Sequence, residues 1–377
     1  MSDSTSSVQE TERVALADVS IFPATRAQIV ESRRRSYEAW GRGMTLEEYL
    51  ARDAVMDGHE VARDGKLVTW VLARRDDPKS LDFFCSIETF KREGFVVDAG
   101  AEKGREVACY GLASLFTAPR HRKKGYGTHL MRMVHWVLAP AEWLPEFPRE
   151  VWGAPPDRAG SGWADAEQVL EGHGGDAAFS TLYSDVGPEI YRACGVVPGA
   201  EGWVVTEPVS SGWRVDEVGG EEEEGWEWLD LQGVGECWKA DAELMKREME
   251  EMGGGVCACL PDKGVGEFQV IRRLGLADKL GIVHWGVRRG DAYASWTVEE
   301  QNGAPVLLVT RLRAGREDIG KLARVVAGHG GRHGIKDVEV WGLREQFAGF
   351  VRTWVREDHL SSIKSYSGDL RWVFNEK

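Results

Sequence analysis

The sequence predicts a two-domain α/β protein built on mixed sheets. Apolar runs typical of strands alternate with amphipathic stretches typical of helices along the whole chain. The length of 377 residues favours about two domains, and an order of three strands, a helix and a strand occurs twice. We place a disordered tail at residues 1–12, the first domain at 13–210, an acidic linker at 211–225 and the second domain at 226–377.

The first domain begins with a predicted strand at residues 14–22 and two capped helices. Thr25 can cap a helix that runs to about residue 40, and Thr45 with Glu48 forms a capping box for a helix that Gly58 ends. The elements predicted next are strands 67–73, 83–90 and 107–117, helix 128–138, strand 178–184 and helix 187–195. Residues 139–175 are irregular and rich in proline, glycine and tryptophan, so they form either a pocket wall or a plain insertion.

The second domain follows a Ser-Ser-Gly segment and the acidic run Glu221–Glu224, which are typical of a solvated hinge. Its predicted elements are helix 228–249, strands 282–287, 292–298 and 306–312, helix 318–329 and strand 337–341. This order repeats that of the first domain, but the connection between Leu312 and Asp318 is too short for a glycine-rich turn. We interpret the second domain as a degenerate copy without its own cofactor site.

One connection in the first domain is chemically distinctive. Between strand 107–117 and helix 128–138 lies Arg120-His121-Arg122-Lys123-Lys124-Gly125-Tyr126-Gly127. Consecutive amides in such a turn, together with the positive end of a helix, can bind a pyrophosphate, and glycine permits positive φ and close approach. Neither a triphosphate loop nor a dinucleotide fingerprint fits, because both Gly-Lys-Ser/Thr and Gly-x-Gly-x-x-Gly are absent. A basic surface loop with two glycines is the remaining alternative.

Composition narrows the classes of partner. A net charge of −14 argues against nucleic acid as a ligand, and the lack of a run of eighteen apolar residues predicts no membrane span. The first residues lack the charged and apolar regions of a secretory signal. The six cysteines are scattered, and Cys257-x-Cys259 lacks a second pair at zinc spacing. We therefore expect reduced thiols, a cytoplasmic location and no metal.

The spacing Arg122-x-x-Gly125-x-Gly127 resembles the signature of the GNAT superfamily of acyl-CoA N-acyltransferases. This resemblance implies the GNAT fold, in which the sheet splays between its fourth and fifth strands, with acetyl-CoA as acyl donor. It also implies that backbone of the fourth strand binds the pantetheine arm and that the turn binds the diphosphate. The implied cofactor-binding residues are Leu115, Phe116, Thr117, Arg122, Lys123, Lys124, Gly125, Tyr126, Gly127 and Thr128.

The same resemblance supplies candidate catalytic residues. Tyr191 falls on the helix after the fifth strand, where the family often places a tyrosine that protonates the leaving thiolate; a tyrosine that only packs helix against sheet is the alternative. Because a free lysine amine has a pKa near ~10.4, the protein must also remove a proton. Glu88 on the third strand could accept this proton or hold the ammonium, or it could be a solvated strand-end residue. Ser184 and Asp185, at the end of the fifth strand, are further candidates for binding the amine.

A narrower resemblance covers most of the chain and is clearest before residue 205. The combination of five segments is similar to the fungal lysine N-epsilon-acetyltransferases: Thr45–Leu50, Thr69–Leu72, Ser86–Thr89, Tyr110–Thr117 and Leu182–Gly187. The chain departs from that family at His121-Arg122-Lys123-Lys124-Gly125, where Tyr-Arg-Gly-Lys-Gly is more common. The resemblance implies direct attack of a small-molecule amine on the thioester of acetyl-CoA. A catalytically silent acyl-CoA sensor and a protein-lysine acetyltransferase stay open, as does the oligomeric state. We expect the second domain to close one wall of the acceptor pocket.

Overall fold

The computed structural model describes residues 13–41, 43–158, 166–219, 224–342 and 352–374. Its strands are β1 Val19–Pro23, β2 Leu67–Arg74, β3 Cys85–Val97, β4 Arg105–Thr117, β5 Ala177–Ser184, β6 Val204–Val205, β7 Val209–Arg214, β8 Glu227–Leu229, β9 Val256–Cys259, β10 Gly286–Arg289, β11 Ala292–Gln301, β12 Ala304–Arg313, β13 Asp337–Trp341, β14 Arg352–Val355, β15 Leu360–Ser365 and β16 Arg371–Trp372. Its α-helices are α1 Arg26–Trp40, α2 Leu46–Asp57, α3 Tyr126–Leu138, α4 Arg149–Trp152, α5 Glu189–Arg192, α6 Val215–Val218, α7 Leu231–Glu251, α8 Val265–Ile271, α9 Leu274–Leu280 and α10 Ile319–Arg332.

The first sheet has the order β1-β2-β3-β4-β5-β15-β6. The pair β4–β5 is parallel, and the chain crosses between these strands through α3. Strand β9 adds to the far end of β3, at residues 94–97, and carries β16 on its other side. Helix α3 is buried along most of its length because its apolar residues pack between the sheet and the segment that follows it. The parallel pair and its crossover helix position the site.

The second sheet has the order β14-β7-β13-β12-β11-β10-β8. It repeats the arrangement of the first, since β12 and β13 are parallel and α10 connects them. A separate hydrophobic core, which includes Val309 and Val326, fills the space between this sheet and α10. The predicted α/β class with mixed sheets and the repeated order of strands and helix are confirmed.

The predicted boundaries between the domains are wrong in two respects. Residues 209–214 form β7, which lies inside the second sheet between β13 and β14, so the first part of the predicted linker is a strand. Residues from the C-terminal part of the chain (β9, β15 and β16) belong to the first sheet. These pairings join residues far apart in sequence, which local patterns cannot reveal. The first sheet is therefore built from both halves of the chain. Residues 220–223 of the predicted linker and the predicted tail 1–12 lie outside the described residues.

Local predictions agree better with the structure. Thr25 and Thr45 each cap their helix with a complete capping box. The first predicted strand starts later, at Val19, because residues 16–18 form a 3-10 turn. In the segment after α3, Trp152 is fully buried and Phe147 packs edge-on against Trp136 of α3, with ring centroids 4.7 Å apart. These two aromatic residues of the segment thus belong to the core. No helix in the described ranges is long and apolar enough to cross a membrane.

Candidate functional site

The ladder between β4 and β5 ends halfway along both strands. Paired residues run from Ala108 with Ala177 to Gly111 with Thr181, whereas β4 continues to Thr117 and β5 to Ser184. The two strands therefore diverge towards their carboxyl ends and open a wedge in the sheet. In a parallel pair, backbone groups beyond the last ladder bond are available to a ligand. The wedge lies where the pantetheine arm was predicted.

A β-bulge shapes the β4 side of this wedge. The register with β3 shifts between Ser86, which faces Phe116, and Glu88, which faces Ala113. Ser114 has a φ of 58°, in the left-handed region that non-glycine residues rarely adopt. Bulges bend a strand and redirect its groups, and they are enriched next to active sites. Here the bulge redirects the backbone just before Leu115, Phe116 and Thr117, and it was not predicted from the sequence.

The turn before α3 has the backbone conformation of an anion site. Lys123 and Gly125 have φ values of 61° and 86°, and Gly125 is the N-cap of α3, with no side-chain hydrogen bond capping the helix. The first amides of a helix lack intrahelical acceptors, so they are available to an anion. An added Cβ on Gly127 would lie 3.1 Å from Thr117 Oγ1. The turn therefore packs closely against the end of β4 at this glycine.

The side chains of the turn have different surroundings. The Arg122 Nε–H donates to the Thr117 carbonyl at 3.0 Å, and its guanidinium carbon lies 5.6 Å from the centre of the Phe116 ring. Tyr126 is buried, and its hydroxyl bonds to both backbone groups of Val14. The backbone N–H of Tyr126, and not its hydroxyl, is therefore the group that can bind a ligand. Thr128 sits within hydrogen-bonding reach of the Cys194 thiol.

Glu88 lies beside the bulge in a charged cluster. The Ser114 hydroxyl donates to its carboxylate at 2.7 Å. Burial raises the pKa of Glu88, while the charge of Arg33 and the bond from Ser114 oppose that effect. Arg33 itself forms an ion pair with Asp57 at 2.6 Å and lies 3.7 Å from Asp53. Glu88 is thus half-buried, with its carboxylate bonded to β4 and close to charged residues of α1 and α2, so it is not a freely solvated residue at a strand end.

Tyr191 lies on α5, directly after β5. Its ring packs partly buried against the core of the first sheet, and burial raises its pKa, with further increases from Cys194 and Asp185. The phenol is consequently protonated at neutral pH. The neighbouring Ala193 carbonyl accepts a hydrogen bond from Arg132 of α3 at 3.2 Å, so α5 is tied to the helix that follows the turn.

Ser184 and Asp185 are committed to other contacts. The Ser184 hydroxyl donates to the Gly187 carbonyl at 2.7 Å and accepts from the Val186 amide at 3.3 Å, which makes it part of a local turn. Asp185 Oδ1 lies 2.6 Å from Nδ1 of His359. The structure therefore places Asp185 with a histidine that sequence reasoning missed. The two residues are 174 positions apart, and no local signal links them.

Known proteins share this architecture. A protein from Enterococcus faecalis, described as a probable N-acyltransferase, superimposes with a TM-score of 0.52 at 9% identity, over 93% of this chain and 73% of that one. A GCN5-related N-acetyltransferase from Anabaena variabilis gives a TM-score of 0.51 at 11% identity, over 92% of this chain and 73% of that one. These likenesses establish the fold.

Sequence comparison adds the class. A lysine acetyltransferase from Yarrowia lipolytica is 21% identical over 344 residues, which cover 82% of this chain and 80% of the relative. The chain is therefore similar in sequence to an acetyltransferase and in fold to GCN5-related N-acetyltransferases. In addition, residues 212–377 match the LYC1 GNAT-like C-terminal domain. The resemblance inferred from the turn is therefore confirmed.

Proposed function

We propose that this acetyltransferase moves the acetyl group of acetyl-CoA to the amine of a small molecule, most simply the ε-amine of free L-lysine or a related amino acid. The observation that carries the proposal is the wedge between β4 and β5, with the glycine turn at one end and Glu88 on the neighbouring strand. The relative named for lysine supports the choice of acceptor.

The residues present suit each part of acetyl-CoA. The turn from Arg122 to Thr128 offers amides and positive charge to the diphosphate, and the β4 backbone at Leu115, Phe116 and Thr117 offers bonds to the pantetheine arm. Amides of β4 near Leu115 or Phe116 would stabilise negative charge on the thioester oxygen.

The chemistry then requires the acceptor ammonium to lose one proton to water before it can attack, its nitrogen to lose a second proton after the attack, and one proton to reach the sulfur. Glu88 attracts the ammonium of the acceptor, because its carboxylate lies in a cluster that also holds Asp53 and Asp57. The amine attacks the thioester carbon, the C–S bond breaks, and the Tyr191 hydroxyl donates its proton to the thiolate. The acceptor nitrogen loses a proton to a base or to water. No covalent enzyme intermediate is needed.

An acceptor screen with the full-length protein tests this proposal. Acetyl-CoA is incubated with L-lysine, L-ornithine, other amines and lysine-containing peptides, while thiol release and product mass are recorded. We expect acetylated lysine or a close analogue, with the rate sharply reduced in Glu88→Gln. Acetylation of peptides alone would replace the proposal with a protein-lysine acetyltransferase. Binding of acetyl-CoA without any thiol release would instead indicate a catalytically silent acyl-CoA sensor.

We also propose a cytoplasmic location. The six cysteines are free in the structure, even though the sulfurs of Cys109 and Cys259 lie 3.8 Å apart. Reduced thiols are typical of the cytosol. Fractionation of cells that express a tagged chain would test this, and recovery in the secreted fraction would contradict it.

A further inference from the structure

The C-terminal segment brings a histidine to the end of β5. Strand β15 pairs antiparallel with β5 from Leu360 opposite Ser184, and this register sets His359 beside Asp185. Asp185 Oδ1 accepts the backbone N–H of His359 at 3.1 Å and lies 2.6 Å from its Nδ1. One carboxylate oxygen therefore fixes both the backbone and the ring of the histidine. With the Nδ1 proton directed at Asp185, the lone pair of the ring is on Nε2.

The ring is held in place by more than this carboxylate. It stacks on Trp341, with centroids 5.6 Å apart and an interplanar angle of 27°. Arg356 donates to the His359 carbonyl and to the Ser361 hydroxyl, both at 2.9 Å. His359 also has a φ of 50°, a conformation that costs free energy in residues other than glycine. Yet the side chain is 36% exposed, so this strained residue keeps access to solvent.

The pair lies at the reactive edge of the sheet. Because β4 and β5 are parallel, the end of β5 is at the same edge as the end of β4 and the glycine turn. Tyr191 lies on α5, the next helix after Asp185, and the charge of Asp185 contributes to the raised pKa of Tyr191. Asp185 is therefore close to the predicted acid.

We propose that His359 and Asp185 form a histidine–carboxylate pair that accepts the proton lost by the acceptor amine, so that the C-terminal segment completes the catalytic site of the first sheet. This inference rests on the proposed function. The N–H bond of the amine breaks as its nitrogen bonds to the acetyl carbon, and Nε2 of His359 takes the proton and later releases it to solvent. Tyr191 supplies the thiolate with its proton and regains one from water. Glu88 holds the ammonium until it releases its first proton to water and becomes the attacking neutral amine.

A second charged residue lies next to His359. Arg356 donates to the His359 carbonyl, and Tyr183 of β5 and Glu339 of β13 act electrostatically on Arg356. We expect Asp185→Asn, which removes the carboxylate bonded to Nδ1 of His359, to lower the maximum of kcat/KM.

The test uses His359→Gly, because glycine accepts the positive φ and the variant should fold. We expect kcat to fall by about 10²-fold and imidazole added to the buffer to restore part of it. His333→Asn, a half-buried histidine of the second sheet region, is the control and should retain the wild-type rate. A His359→Gly enzyme with wild-type kcat and pH profile, or a slow one that imidazole does not rescue, would overturn the inference alone. A wild-type protein that acetylates no amine would overturn the proposed function as well.

Discussion

Both sheets contain a parallel pair of strands joined by a crossover helix, but the two units differ in the residues that begin the helix. In the first, β4 leads through a long turn to α3, which begins at Gly125 in the left-handed conformation without a side-chain cap. In the second, β12 leads through residues 314–318 to α10, whose N-cap is Asp318 in the right-handed conformation. Asp318 pairs with Arg289 at 3.0 Å, so a negative charge already occupies this helix start. The comparison teaches that a parallel pair and crossover helix provide a scaffold, while turn length and cap decide whether an anion can bind.

The strand ends differ as well. The β4 end leaves a wedge beside β5, whereas the β12 end carries Arg311 and Arg313, which bond to the buried Asp241 of α7. Burial alone would raise the pKa of Asp241, but the two arginines lower it below its ordinary value. Tyr293 also donates to this carboxylate, at 2.8 Å. In the second sheet, these polar side chains therefore hold α7 against the strands.

Breaking that ionic cluster should give the largest effect on stability. Removing one partner of a buried charge pair leaves the other charge uncompensated, at a cost of about 3–5 kcal/mol. We expect Asp241→Ala to lower the free energy of urea unfolding by this amount. Asp278→Ala, an exposed control on α9, should change it by less than about 0.5 kcal/mol. Equal values for the two variants would contradict a structural role for the cluster.

Two tyrosines sharpen the comparison next. Tyr191→Phe should lower kcat by about 10²-fold and leave stability nearly unchanged, because the lost hydroxyl serves the leaving thiolate. Tyr293→Phe should keep kcat but cost about 1–2 kcal/mol of unfolding free energy, because it removes a bond to buried Asp241. Steady-state kinetics and urea titration of both variants measure this. A normal rate in Tyr191→Phe would remove the acid role.

A smaller difference is expected between two turn glycines. Gly125 has a φ of 86°, and Gly315, in the corresponding connection of the second sheet, has no neighbour within 4 Å of an added Cβ. Alanine at Gly125 should cost about 1–2 kcal/mol of stability, because a Cβ is strained at positive φ. Alanine at Gly315 should cost little. Thermal unfolding of the two variants measures this difference. A larger loss of stability in Gly315→Ala than in Gly125→Ala would contradict the turn conformation.

The smallest effect concerns Glu88 and pH. Its pKa is raised in the folded protein, so between the ordinary and the raised value the folded state binds more protons than the unfolded state. Stability therefore falls as pH rises through that window. We expect Glu88→Gln to remove this dependence and to stabilise the protein at pH 8 by less than about 1 kcal/mol, while activity falls. A Glu88→Gln variant that is less stable than the wild type at pH 8 would contradict this prediction. It would show that the charge of Glu88 stabilises the fold through its attraction to Arg33.

Sequence reasoning succeeded where the signal was local. The capping boxes at Thr25 and Thr45 and the strand–turn–helix around Gly125 are formed by neighbouring residues, and the structure reproduces them. Glu88 was placed on the right strand, but its partners Ser114 and Arg33 depend on a bulge and on helix packing.

The C-terminal additions to the first sheet could not be predicted in the same way. Strands β9 and β15 are short, and the strands they join lie far away in the chain. The pairing of Asp185 with His359 depends on that register. Such contacts depend on tertiary packing, and the periodic pattern of apolar residues in the sequence does not predict them.

Titration of acetyl-CoA into three proteins tests the central claim most directly: the wild type, Gly127→Asp and Gly315→Asp. An aspartate in the first turn of α3 favours the helix, so lost binding would not reflect a lost helix. The account predicts that Gly127→Asp weakens acetyl-CoA binding by at least about 10²-fold, through repulsion of the diphosphate and the close contact with Thr117, while Gly315→Asp binds like the wild type. Wild-type affinity in Gly127→Asp, or an equal loss in Gly315→Asp, would contradict it.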